Sequence, residues 1–192
     1  ANVFALDASD ADVTLSTVNL LGDTDGTVRV SHNDINGVTV AGGSNTADTT
    51  LRIDRQADGT TATNLANISG IDTIQIADDA ATPAAALVIA SASSGQSFEI
   101  LDDMATSSSV SVQGATRTAP AASLSITLDN ATANTDVDIG GTLDIQNATA
   151  LTLTSIGYST SATDGTTENA LTLGGDFTSV TVLGDTSLDM TA

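Results

Sequence analysis

The chain has 192 residues, with 24 acidic side chains against four arginines and no lysine, a net charge of −20. That imbalance excludes an electropositive face for a phosphate backbone, because Arg29, Arg52, Arg55 and Arg117 are too few and too scattered, so no nucleic-acid partner is expected. Anionic membrane surfaces are disfavoured on the same ground, and the absence of an apolar run of about 18 residues predicts no membrane insertion. Cysteine is absent, which rules out disulfides and thiolate zinc sites.

The length suits a single β-rich domain over residues 1–192. The start at Ala1 without Met suggests one segment or a processed product of a larger protein. Three Phe, one Tyr and no Trp leave Val, Ile, Leu, Ala and Thr to fill the interior, which favours a thin, layered core over a ring-filled one. Asp outnumbers Glu by 22 to 2. Short carboxylates favour turns and cation cages rather than helices.

In chain order, the dominant signal is a short alternation of apolar residues. Val28 and Val30 come first, then Val38 and Val40, Leu51 and Ile53, Ile74 and Ile76, Leu87 and Ile89, and Phe98 and Ile100. Val110 and Val112 follow, then Leu124, Ile126 and Leu128, Val137 and Ile139, Leu143 and Ile145, and Leu151 and Leu153. The series closes with Leu171 and Leu173, Val180 and Val182, and Leu188 and Met190. A spacing of two puts each pair on one face of a strand. Gly, Asp, Asn, Ser and Thr between the pairs mark turns. The weak helix signals are Asp78–Ala86, interrupted by Pro83, and a single turn at 102–106. The stretches Ala57–Ser69 and Ser155–Asn169 lack apolar pairs and are expected to loop out.

So many short strands predict an all-β fold. A parallel β-helix, with coils of about 20 residues each carrying two or three short strands, fits best. A β-sandwich of seven to nine strands is the alternative.

The segment Leu65-Ala66-Asn67-Ile68-Ser69-Gly70-Ile71-Asp72-Thr73-Ile74-Gln75-Ile76 resembles a recurring phrase of bacterial S-layer and RTX-related calcium-dependent surface proteins. That phrase runs from leucine through a spacer and isoleucine into Ser-Gly-Ile-Glu-Thr and an alternating strand; here Asp72 stands in the Glu position. Ala150–Thr154 and Phe177–Val182 have a similar cadence. The resemblance implies a secreted protein with right-handed β-solenoid segments that binds calcium and assembles on the cell surface. The tandem Gly-Asp nonapeptide of the related toxins is missing; Gly22-Asp23-Thr24-Asp25-Gly26-Thr27 is a fragment of that style.

Calcium is therefore the cofactor to expect. It takes six to eight oxygens, which aspartates and carbonyls of tight turns supply. The candidate ligands are Asp7, Asp10 and Asp12, Asp23 and Asp25, Asp78 and Asp79, Asp102 and Asp103, and Asp136 and Asp138. Each group also suits a turn cap or a solvated bend. Catalysis is not expected: His32 is the lone histidine, and aromatic platforms and basic groups are scarce. Arg52 and Arg55 are expected to pair with nearby aspartates. Apolar alternations at Ala1–Leu6 and Leu188–Ala192 make open strand edges that copies of the chain can pair with.

The function expected from all of this is structural. The chain would be a self-assembling, calcium-stabilised subunit of an extracellular surface layer, biofilm matrix or filament. An adhesin or carbohydrate-binding module that recognises cell-surface polysaccharide is the alternative, and a polysaccharide-cleaving β-helix enzyme the remote one.

Overall fold

The computed structural model describes residues 3–6, 17–19, 27–31, 35, 38–42, 49–55, 63–65, 67–78, 88–92, 95–101, 108–112, 123–130, 137–157, 169–175 and 178–191. These residues form an all-β fold of three sheets, and every ladder among them is parallel. An antiparallel Greek-key sandwich has no such ladders.

The largest sheet has eight strands in the order β1 (Val3–Leu6), β3 (Thr27–Ser31), β5 (Thr50–Arg55), β8 (Thr73–Asp78), β10 (Gln96–Ile100), β12 (Ser123–Asn130), β14 (Ala150–Gly157) and β16 (Ser179–Gly184). A six-stranded sheet runs from β17 (Leu188–Thr191) through β15 (Asn169–Gly175), β13 (Asp138–Gln146), β11 (Ser108–Val112) and β9 (Val88–Ala92) to β6 (Thr63–Asn64). The third sheet is β2 (Thr17–Asn19), β4 (Thr39–Ala41) and β7 (Ile68–Ser69). The chain leaves the eight-stranded sheet after each strand, forms a strand elsewhere, and returns to add the next strand beside the last.

Register fixes the size of each excursion. Thr27, Thr50, Thr73, Ser97, Ser125, Thr152 and Thr181 stand side by side, so successive returns are 23, 23, 24, 28, 27 and 29 residues apart. One position further along, Val28, Leu51, Ile74, Phe98, Ile126 and Leu153 form a buried column. Two positions beyond that, Val30, Ile53, Ile76, Ile100 and Leu128 form a second. The two columns are the paired apolar residues of the sequence, and Leu143, Ile145, Leu171 and Leu173 of the six-stranded sheet join them in one core.

Some expectations need correction. The stretch 57–69 is not wholly looped out, since it contributes β6 and β7. The stretch 155–169 likewise gives its first residues to β14 and its last to β15. Asp78 closes a strand rather than opening a helix; 79–86 and 102–106 lie outside the described residues. The last apolar pairs are not buried. Val180 is 38% exposed, Val182 48% and Met190 37%, because β16 and β17 are edge strands with no described neighbour beyond them.

Glycine is required where coils approach closely. Gly42 donates its N–H to the Ser69 carbonyl at 2.7 Å, and a Cβ there would lie 1.6 Å from the Gly70 carbonyl oxygen. Gly184 has φ of 118°, and its Cβ would lie 1.9 Å from the carbonyl oxygen of Ser155. No side chain fits at either place.

The columns predict an asymmetric response to substitution. Ile76→Ala, at a site 1% exposed, should cost roughly 2–5 kcal/mol of unfolding free energy in a urea titration. Thr152→Val, on the opposite face of its strand, should shift it by no more than about 0.5 kcal/mol. Equal effects would contradict the assignment of faces.

Candidate functional site

The outer face of the eight-stranded sheet carries the described charged residues of most consequence. Arg29, Arg52, Gln75 and Glu99 are neighbours in register on β3, β5, β8 and β10. Parallel pairing stacks the two arginines side by side. Asp54, two residues beyond Arg52 on the same face, offsets both charges: its Oδ1 accepts the Nε–H of Arg52 at 2.9 Å, and its Oδ2 accepts that of Arg29. The Asp54 side chain is 10% exposed and the two arginines 32% and 39%, so the cluster lies half in the surface. Gln75 continues the row by donating from Nε2 to Glu99 Oε2 at 2.7 Å. The expected pairing of Arg52 with an aspartate is thus present, while the side chain of Arg55 lies outside the described residues. Arg29 was not expected in the cluster; only the 23-residue offset that brings it beside Arg52 reveals it.

A second feature lies at the turn from β7 into β8. Ile68, Ser69, Gly70, Ile71 and Asp72, with Gly95 and Gln96 of the next coil, line an open polar hollow of about 250 Å³. Asp72 is exposed and fastens the previous coil, its Oδ2 accepting the Thr49 N–H at 3.0 Å. In return, the Thr49 carbonyl accepts the N–H of Asp72 at 3.0 Å and of Thr73 at 3.3 Å. Gln96 donates its side-chain amide to the Ile71 carbonyl at 3.3 Å. The same corner recurs further along, where the Thr149 carbonyl accepts from Thr178 and Ser179 at 2.9 and 3.2 Å. The loop is therefore held by hydrogen bonds between coils, and the face it offers is polar.

The third feature is buried. Asn169, 1% exposed, is the first residue of β15. Its Oδ1 accepts the Val137 N–H at 2.8 Å. Its Nδ2 donates to Ser155 Oγ at 2.9 Å and to the carbonyls of Leu128 and Ile156, each at 3.3 Å. One amide thus joins strands of the eight-stranded sheet to the start of the six-stranded one. The sequence gives little warning, since Asn at the end of a polar run reads as a turn residue.

Most of the aspartates expected to bind calcium lie outside the described structure. Asp7, Asp10, Asp12, Asp23, Asp25, Asp79, Asp102, Asp103 and Asp136 lie outside the described residues, as does His32. Asp78 and Asp138 are placed only by their backbones, at the end of β8 and the start of β13. Among the described residues, no three His, Cys, Asp or Glu side chains group as metal ligands, and no helix is long and apolar enough to cross a membrane.

No family model, curated protein or solved structure matches the chain.

Two substitutions test the polar clusters. Asn169→Ala strands the Val137 N–H and should cost roughly 1–3 kcal/mol for that group alone, read as a lower denaturation midpoint. An unchanged midpoint would mean water replaces the amide at no cost. Asp54→Ala leaves two adjacent guanidinium groups without their carboxylate. With both arginines about a third exposed, the loss should be on the order of 1 kcal/mol and should shrink in molar salt.

Proposed function

We propose that the chain is a structural, self-assembling subunit of an extracellular surface layer, matrix or filament, wound as a right-handed parallel β-helix and stabilised by calcium. The observation that carries this reading is the unbroken parallel ladder. Eight strands keep one register, six of them from β3 to β14 share a buried core column, and the edge strand β16 then presents Val180 and Val182 to solvent. Unpaired N–H and C=O groups beside exposed aliphatics favour strand addition. The return of the chain to the same sheet by parallel crossovers supports the right-handed winding, the sense such connections take in nearly all proteins.

Charge supports the calcium part. A body at −20 repels its own copies unless cations screen it. Adjacent short carboxylates such as Asp78 and Asp79 or Asp102 and Asp103 suit a hard, oxygen-seeking ion. Calcium would then do two things: tighten the bends and let acidic surfaces meet.

Electron microscopy of the purified chain, with calcium and with a chelator, tests the proposal alongside thermal melts. Ordered sheets or filaments are expected with calcium, and a looser assembly with a lower melting temperature after chelation. Dispersed particles in both conditions would remove the assembly reading. A melting temperature indifferent to the chelator would remove calcium from it. Glycan binding by particles that stay monomeric at high calcium would point to an adhesin instead.

A further inference from the structure

Two exposed corners of the fold carry the triplet Asn-X-Ser/Thr with X other than Pro, namely Asn67-Ile68-Ser69 and Asn147-Ala148-Thr149. We propose that Asn67 and Asn147 are acceptors for N-linked glycans. The proposal rests on the extracellular reading above, because the glycan donors of this chemistry are used on chains being exported.

The placement carries the argument. An N-glycan is bulky and hydrated, so the asparagine that bears it must stay at the surface of the folded chain. Asn67 is exposed in the turn before β7, and the hydroxyl-bearing Ser69 is exposed as well. Asn147 is exposed at the bend between β13 and β14, with φ of 64°, a left-handed conformation that asparagine tolerates. Neither side chain belongs to the core columns, so neither has to leave the interior to carry a sugar. A third triplet, Asn130-Ala131-Thr132, begins inside the ladder at the last residue of β12 and is not included.

The two acceptors stand at different corners: Asn67 leads into β7 of the three-stranded sheet, and Asn147 into β14 of the eight-stranded one. At Asn67 the adjoining surface is the polar hollow lined by Ser69, Gly70, Asp72 and Gln96, which offers the first sugar hydrogen-bonding groups instead of an apolar wall.

The chemistry is a transfer without redox change. The carboxamide nitrogen of the asparagine bonds to the anomeric carbon of an oligosaccharide carried on a polyprenyl diphosphate. The bond from that carbon to the phosphate oxygen breaks, the polyprenyl diphosphate leaves, and the nitrogen gives up one proton.

The test uses the chain isolated from the cells that make it, cut at its aspartates and analysed by mass spectrometry, with protease shaving of intact cells run alongside. Peptides containing Asn67 and Asn147 should each carry a glycan mass. Asn67→Gln and Asn147→Gln should each lose one glycan. Ser69→Ala should lose the one at Asn67, whereas Ser69→Thr should keep it, which separates the modification from any effect on folding. A bare asparagine at either position, on a chain that shaving removes from intact cells, overturns that assignment and leaves the extracellular reading standing. A chain that shaving cannot reach, and that only lysis releases, overturns the extracellular reading and this proposal with it.

Discussion

The fold depends on aliphatic side chains standing directly beside their counterparts one coil away. Neighbouring strands lie about 4.8 Å apart, so a column such as Val30, Ile53, Ile76, Ile100 and Leu128 is a line of close contacts rather than a pooled core. Most strands of that sheet contribute two inward aliphatics to the core, and β12 contributes three, Leu124, Ile126 and Leu128. A slip of one residue would turn both outward and bring polar neighbours in. Register therefore follows from the apolar pairs, and the intervening chain is free to vary as long as it returns to the column. The increase from 23 to 29 residues per return, with no break in the ladder, shows that freedom in use.

The columns do not continue unchanged. The place held by Leu128 in one coil is held by Ser155 in the next and by Gly184 after that. A buried hydroxyl in an aliphatic line needs partners, and Asn169 supplies one while the Ser187 carbonyl accepts from the Ser155 hydroxyl at 3.4 Å. The Ser155 carbonyl also takes the N–H groups of Asp185 and Thr186 at 3.2 and 3.3 Å, which draws the chain into a three-residue corner between β16 and β17. The side chain lost at Gly184 is what lets that corner close. Polar interior, glycine and tight corner are thus one arrangement.

The strands were legible because period two is a local signal. Leu51 and Ile53, Ile74 and Ile76, and Leu151 and Leu153 announce their own buried faces without reference to anything distant. Coil length was less legible, because no tandem motif marks it; the stacking of Thr27, Thr50 and Thr73 becomes visible only once the ladder is known. The same reason hid the Arg29–Asp54 pair, whose members are 25 residues apart, and the role of Asn169, which bonds to groups up to 41 residues away. Two-residue strands such as β6 and β7 were missed because a segment that short needs no alternation to be held by its neighbours.

Parallel stacking in register has a cost that shapes the surface: it puts like beside like. Two unit charges about 5 Å apart repel by on the order of 1 kcal/mol even in water, and more at a half-buried surface. A column of aspartates on this sheet would multiply that repulsion coil by coil. The outer positions avoid it. One column is hydroxyls from Thr27 to Thr181, whose short side chains stack without charge and suit extended backbone. The next begins with two arginines bridged by Asp54, passes through the Gln75–Glu99 hydrogen bond, and goes on as Thr127 and Thr154. Of the 22 aspartates in the sequence, only Asp54, Asp78 and Asp129 fall in the strands of this sheet. The constraint that keeps like charges from stacking in this sheet is the one that leaves the other nineteen aspartates outside its described strands.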